Sequence, residues 1–462
     1  MATDFNTYQS PFSWRYGSPQ MRKLFNEVNK RKTWRTVWVS LARAQNKFGL
    51  VSKKELEDII KHQNDIDIEK AQKIEEDLKH DLMAEVRTFA SQAKIGGGKI
   101  HLGATSQDIE DNTDSIIFNE ALKLIEKNLR ELLLIWSQKI EENKNVVCMA
   151  YTHLQPAEPT TLGYRFAFYA QDLILDLELL KFTTAQVKGK GIKGAVGNSA
   201  SYFSLLGKKA QDIENQVLSD LGIKAFDVTT QVYPRKIDFL ILSLLSSIAQ
   251  SLYKFAFDIR LLQSSPFGEL MEPFGEKQVG SSAMPFKRNP QNSERICSLS
   301  RYIVSLSRVA WDNAANSLLE RTLDDSASRR LIMPDSFLAT DEILNIAKSI
   351  VKGLVINEKN IKKNLMLYGP FSALEAILLK STKNGADRQE MHEILRMHSL
   401  KVYAEMQETQ KNNLFKNLES DKEILKYLKK EEIKSLLNFQ NHIGFASEKA
   451  HATAQKIKLL AK

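Results

Sequence analysis

Cysteine is nearly absent: Cys148 and Cys297 are the only two in 462 residues, far apart and in no metal-ligand spacing. That excludes a disulfide-built scaffold and predicts free, buried thiols in a reducing compartment. Glycine and proline are also scarce, 20 and 11. Few interruptions in so long a chain argue against a many-turned sheet protein and for long helices. No hydrophobic run reaches the about 20 residues that span a bilayer. The most apolar stretch, Phe239 to Ala249, is closely flanked by Lys236 and Asp238, so a buried core helix is expected and no membrane partner. The opening MATDFNTYQSPFSW lacks a basic head followed by an apolar run, so no secretory signal is expected and a cytoplasmic location is. A concentrated basic arm is missing as well. The net charge of +9 comes from lysines scattered among glutamates, with no zinc-finger spacing or aromatic RNA-binding motif, so no nucleic-acid partner is expected. The positive field still suits an anionic small ligand.

What is present is helical rhythm. Hydrophobic residues make up 43%, enough for a sizeable core, and the length predicts two or three domains. Trp34, Val37, Trp38, Leu41 and Ala42 repeat at three and four residues, and Lys54 to His62 and Ile68 to Phe89 continue the pattern. A glycine cluster, Gly96 to Gly98, then breaks it. Five longer runs follow, at Thr113 to Glu142 and about 160–187, 236–264, 292–318 and 333–353, apolar over more than one face. They predict an all-α protein with a central long-helix bundle and, because the faces outnumber the neighbours within one chain, an oligomer. The domains expected are 1–105, 106–356 and 357–462. Irregular segments at 144–160, 188–206, 265–291 and 319–331 are where a rigid scaffold would carry its chemistry.

The most informative of these segments is GSSAMPFKRNP, Gly280 to Pro290. A hydroxyl, a cation and an amide in so short a stretch could serve one small site; the plain alternative is a surface turn with Lys287 and Arg288 solvated. In THLQPAEPTTLGYR, Thr152 to Arg165, His153 could protonate a leaving group near neutral pH, or simply hold a hydrogen bond. Thr105, Ser106 and Asp108 of IHLGATSQDIEDN are good helix caps. The arginines of ERTLDDSASRR could be solvated or paired with Asp324 and Asp325.

GSSxMPxKxN resembles the shared motif of the fumarase/aspartase superfamily, and the remaining segments resemble its adenylosuccinate lyase family, closest to the animal-type form. The resemblance runs from Tyr8 to about residue 353 and weakens beyond it. It implies Ser281 as general base, on a mobile loop, and His153 as general acid with Thr152 beside it. Lys287 and Asn289 would stabilise the carboxylate next to the departing proton. In LKHDLMA it implies His80 and Asp81 as groups that hold and polarise the substrate, with Lys79 where some relatives have arginine. Thr105 and Ser106 would bind the succinyl carboxylate, and His101 would orient that loop. Arg15, Tyr16, Arg295, Arg321, Ser326 and Arg330 would grip the nucleotide, and Gln231 is a further substrate contact. Glu158 stands where many relatives carry glutamine.

The implied reaction is anti elimination of fumarate from adenylosuccinate, giving AMP, and from the succinyl-carboxamide ribotide of purine synthesis, giving AICAR. No metal and no organic cofactor are expected. The resemblance implies a homotetramer whose active sites are shared between subunits. Other superfamily lyases (argininosuccinate lyase, fumarase, aspartase), a catalytically silent scaffold and a nucleic-acid-binding protein are the rival readings. The arginine set disfavours the first, and the intact Ser281, Lys287, Asn289 and His153 the second.

Overall fold

In the computed structural model, which describes residues 6–439 and 442–461, the periodic stretches fold as helices. The early ones include α1 (Glu27–Lys47), α2 (Ile68–Leu78) and α3 (Asp81–Gln92), and the long ones are α4 (Ser106–Asn143), α5 (Leu162–Gln186), α6 (Lys236–Gln263), α7 (Gln291–Ala315) and α8 (Asp324–Lys352). Further helices follow, among them α9 (Glu358–Lys383), which at 26 residues is as long as α5 and α7, α10 (Arg388–Thr409) and α11 (Ala446–Leu460). The fold is all-α, with two short antiparallel ladders: β1 (Val147–Thr152) with β2 (Gln155–Thr161), and β3 (Leu270–Met271) with β4 (Val355–Ile356).

The chain divides into two compact units: residues 1–128, 176–250 and 298–344 form one, and 129–175, 251–297 and 345–462 the other. Each long helix contributes residues to both. In the first unit, Trp34, Val37, Trp38 and Ala42 of α1 pack on Ile59, Leu82, Val86 and Phe89, so the three- and four-residue repeat is a buried stripe. Beneath it, Glu85 accepts from Arg31 and Arg35, both at 2.8 Å, a fully buried charge that its two partners satisfy. In the second unit, Trp136 stands at the centre of Phe166, Tyr169 and Phe255, with ring centroids 5.1–5.9 Å apart. Ile377, Leu395, Val402 and Leu414 centre its C-terminal core.

Three local expectations need correction, and a fourth holds. The rhythm from Ile68 to Phe89 is two helices, because Lys79 turns left-handed at φ 52 and His80 caps α3. Leu78 and Leu82 keep the apolar period across this break, which hides it. Segment 144–160 is largely a β-hairpin rather than irregular. The stretch 319–331 is half helix: α8 starts at Asp324 and runs through Pro334. That proline resembles a first-turn residue because it lacks an N–H, but here it costs one bond inside a 29-residue helix. Finally, α6 at 28 residues is long and apolar enough, by length and composition, to cross a membrane. Its Ile241, Leu244, Leu245, Ile248, Leu252 and Ile259 are instead packed inside the protein, as expected of a core helix.

Candidate active site

In the first unit, the break between α2 and α3 and the start of α4 bring predicted residues together. His80, the α3 cap, accepts from Met83 N–H at 3.5 Å through Nδ1, and its Nε2 lies 3.5 Å from Ser106 Oγ. Asp81 follows, with its Oδ1 3.8 Å from the His80 ring and its Oδ2 accepting from Arg330 Nη2 at 2.7 Å. Burial works to raise the Asp81 carboxyl, but Arg330 and the Leu82 N–H outweigh it and hold it below the usual range. Thr105 is the residue before α4; its N–H donates to Asp108 Oδ2 at 3.0 Å, so the capping reading of this segment is correct as geometry. His101, at φ 69, accepts from Trp38 Nε1 at 3.1 Å. Burial pushes its imidazole down to about 4, which keeps it neutral. Lys79 is exposed.

A cavity of about 200 Å³ opens against α8 and is lined by Arg321, Ser326 and Arg330. Its frame is a buried ion-pair network. Arg329 donates to Asp238 at 2.6 Å, Asp114 at 2.9 Å and Tyr233 Oη at 2.8 Å. Arg235 donates to Asp325 at 2.6 Å and Asp111 at 3.0 Å. The expected pairing of arginines with Asp325 is thus half right, since Arg235 takes most of it and Arg321 stands at 3.5 Å. Arg321 is left with a buried Nη1 that has no hydrogen-bond partner. Ser326 lies in the first turn of α8, where the helix dipole favours an anion, and its own N–H donates to Leu323 O at 3.0 Å. Cations with unused capacity at a helix N-terminus make an anion pocket.

Other predicted residues of this unit sit apart from that lining. The segment carrying Arg15 and Tyr16 is anchored to α8, for Gly17 N–H donates to Glu342 at 3.0 Å and Ser18 N–H to Asp341 at 2.6 Å. Gly17, at φ 79, lies against Leu338, where a Cβ would come within 2.7 Å of the leucine side chain. Arg15 is exposed, 5.8 Å from the Tyr16 ring. Gln231 is tied by its N–H to Glu320 O at 3.3 Å.

In the second unit, His153 and Leu154 form the two-residue tip of the β1–β2 hairpin, with φ 51 and 59. Positive φ at both central positions matches the twist of a hairpin, usually at asparagine or glycine. The cost for a histidine and a leucine is a sign that position matters more than comfort. Thr152 is the last β1 residue, paired with Gln155. His153 lines a cavity of about 820 Å³ with Arg165, Lys254 and Lys449. Arg165, which has no assigned role in the sequence, donates to Met149 O at 2.6 Å and Glu269 at 3.3 Å.

Ser281, Lys287 and Asn289 lie together on an exposed loop, and none of them lines that cavity. Ser281 Oγ accepts from Met284 N–H at 3.1 Å, and Asn289 Nδ2 donates to Gly280 O at 2.9 Å. A Cβ on Gly280 would collide with the Lys287 carbonyl oxygen, so the loop closes on itself only with glycine there. Its end is fixed where Glu272 accepts from Asn292 N–H at 3.0 Å and Ser293 N–H at 2.9 Å, capping α7. Arg295 follows on α7, half-buried.

The sequence showed no metal-ligand cluster, but among the described residues folding makes one candidate group. Glu158, Glu375 and His442 have ligand atoms all within 4.8 Å of one another. Their distance along the chain hid it. A shared hydrogen bond with Glu375, then burial, raises the Glu158 carboxyl.

Comparison with known proteins identifies relatives of the whole chain. A family profile described as "Lyase" matches residues 15–305, and one described as "Adenylosuccinate lyase C-terminus" matches 370–452. The chain is 38% identical over 426 residues to an adenylosuccinate lyase of Schistosoma mansoni, covering 90% of this chain and 88% of that one. It is 37% identical to that of Saccharomyces cerevisiae, covering 98% and 95%; values so close favour no lineage. A solved fumarate lyase from Mesorhizobium sp. BNC1 superposes with a TM-score of 0.85 over 97% of this chain and 99% of that one, at 21% identity, a likeness of fold. By profile, identity and fold, the chain belongs to the adenylosuccinate lyases, C–N lyases of the fumarase/aspartase superfamily.

Proposed function

We propose that the chain eliminates fumarate from adenylosuccinate, and from the succinyl-carboxamide ribotide by the same chemistry, with Ser281 as base and His153 as acid. The observation that carries this reading is the polar series Ser106–His80–Asp81–Arg330, hydrogen-bonded at its two ends and with His80 and Asp81 3.8 Å apart, beside a cavity lined by Arg321 and Ser326. It offers a polar face and an anion pocket to a ligand with two carboxylates and a phosphate. Arg15, Tyr16 and Arg295 add to the grip on the nucleotide; Thr105, Ser106, Thr152 and Gln231 hold the succinyl part, and Lys79 stands at its edge.

Ser281, having given its hydroxyl proton to solvent, takes as the alkoxide a proton from the carbon beside a succinyl carboxylate and returns to the hydroxyl. A serine hydroxyl is a weak base, and the Met284 N–H at 3.1 Å favours its charged form. Lys287 and Asn289 stabilise the doubly negative carboxylate that results. Asn289 must first exchange its present partner, Gly280 O, so the loop rearranges around the ligand. His153 then protonates the purine nitrogen as the C–N bond breaks. Every step uses side chains of the protein, with no cofactor called on.

The active form is a homotetramer with sites shared between subunits. Support comes from α5, whose Tyr164, Phe168 and Leu175 in one unit and Leu179 and Phe182 in the other are exposed at spacings of three, four and seven. Such a row is a helix-packing seam that a second copy would cover. A cytoplasmic location and the segments 1–105, 106–356 and 357–462 as folding domains complete the proposal; the C-terminal profile match at 370–452 fits the last segment.

Incubation of the purified protein with adenylosuccinate should yield fumarate and AMP in equal amounts, read by absorbance and chromatography. A folded protein that releases neither product from either substrate would overturn the reading and leave a silent scaffold.

A further inference from the structure

The cavity against α8 holds a carboxylate that none of these roles uses. Gln107, Glu110 and Asp114 follow at spacings of three and four on α4, so they share one helix face, and all three line the cavity. The other face of the same turns is buried structure: Asp108, Asp111 and Asn112 are fully enclosed. Asp114 is committed to Arg329 at 2.9 Å. Glu110 differs, since among the described residues it makes no ion pair and accepts only the side-chain amide of Gln107.

Its surroundings disfavour charge. Burial first, then Asp81, Asp114 and Asp111, raise its carboxyl to about 7, with Arg330 in opposition. The other charges facing the cavity are already engaged. Lys30 pairs with Glu27 at 2.9 Å; Arg235 and Arg329 serve Asp325, Asp111 and Asp238. Capacity remains on Arg321, through its unpartnered Nη1, and on Arg330, whose head is half exposed. The site thus offers two guanidinium donors, a serine at a helix N-terminus and one carboxyl group.

We propose that Glu110 is a specificity-determining residue of this cavity, donating a hydrogen bond as a neutral acid to a phosphate oxygen gripped by Arg321, Ser326 and Arg330. The proposal rests on reading the cavity as the nucleotide phosphate pocket. One proton is shared between the carboxyl and the phosphate, supplied by solvent or by the monoanionic phosphate. Without that proton, a carboxylate and a dianion face each other in a small space, and the ligand is repelled.

The test is AMP binding to the full-length protein, by titration calorimetry from about pH 6 to about pH 8.5, for wild type and Glu110→Gln. Glutamine keeps the shape and a donor but never ionises. The two proteins should bind AMP alike near pH 6. Above pH 7 wild type should weaken relative to the variant, by about tenfold per pH unit. The titration of AMP itself is common to both and cancels in the ratio. A ratio that stays constant with pH, while both proteins bind, would overturn the proposal. No AMP binding by either protein would overturn the phosphate reading and this proposal with it. A second measurement needs no variant: near pH 7.5, AMP binding to wild type should take up protons from the buffer. Zero uptake or net release would contradict a neutral Glu110 in the complex.

Discussion

The arginine cavity of the first unit and the Ser281 loop of the second are built on opposite plans. Around the cavity, Arg235, Asp111, Asp238 and Tyr233 are buried and, with the partly buried Arg329, bonded to one another before any ligand arrives. On the loop, Lys287 is exposed and Ser281 half-buried, and Asn289 spends its amide on the backbone. His153, in the same unit as the loop, sits at an exposed hairpin tip. The groups proposed to bind are framed by a rigid network, where preorganisation gives affinity. The groups proposed for the chemistry sit on turns, where a ligand can finish their arrangement.

That contrast can be broken from either side. The largest effect should come from Asp238→Ala, which leaves Arg329 only Asp114 and the Tyr233 oxygen and takes the acceptor from the buried Tyr233 hydroxyl. It should cost about 3–5 kcal/mol of stability, read as a lower denaturant midpoint. In the native protein Arg329 and Arg235 hold the Asp238 carboxyl low despite its burial. The stability this supplies is present above the unfolded value, near about 3.9, and is lost as pH falls through the lower folded value. On the other side, His153→Asn keeps a residue tolerant of positive φ. It should cut kcat by about 10²–10⁴ while moving the unfolding midpoint by less than about 0.5 kcal/mol. A large loss of stability would mean that the hairpin tip is structural. Smaller again, Arg330→Ala frees Asp81 and removes one phosphate contact. It should weaken AMP binding by about tenfold, and unchanged AMP binding would take Arg330 out of the pocket.

The sequence made the helices legible because burial imposes their period: the five long runs match α4 to α8 to within a few residues at most ends. It hid the places where that period continued through a break, as between Leu78 and Leu82, or where a turn lacked its usual residues, as at His153 and Leu154. The Ser281 loop was readable because it is one contiguous motif. The cavity was only half readable: Arg321, Ser326 and Arg330 stand in one segment, but the frame that positions them joins Arg329 to Asp114, 215 residues away, and to Asp238, 91 away. Glu110 escaped altogether, for nothing in its local spacing distinguishes it from a solvated helix residue. Its role depends on which charges around it are already paired.

Ser281→Ala, with turnover and AMP binding measured on one preparation, tests the division of labour most directly. Turnover should fall by about 10²–10⁴ while AMP affinity stays within about twofold, less than about 0.5 kcal/mol. Near-normal turnover would remove Ser281 as the base, and loss of AMP binding together with turnover would show that the loop and the cavity do not divide the work as described.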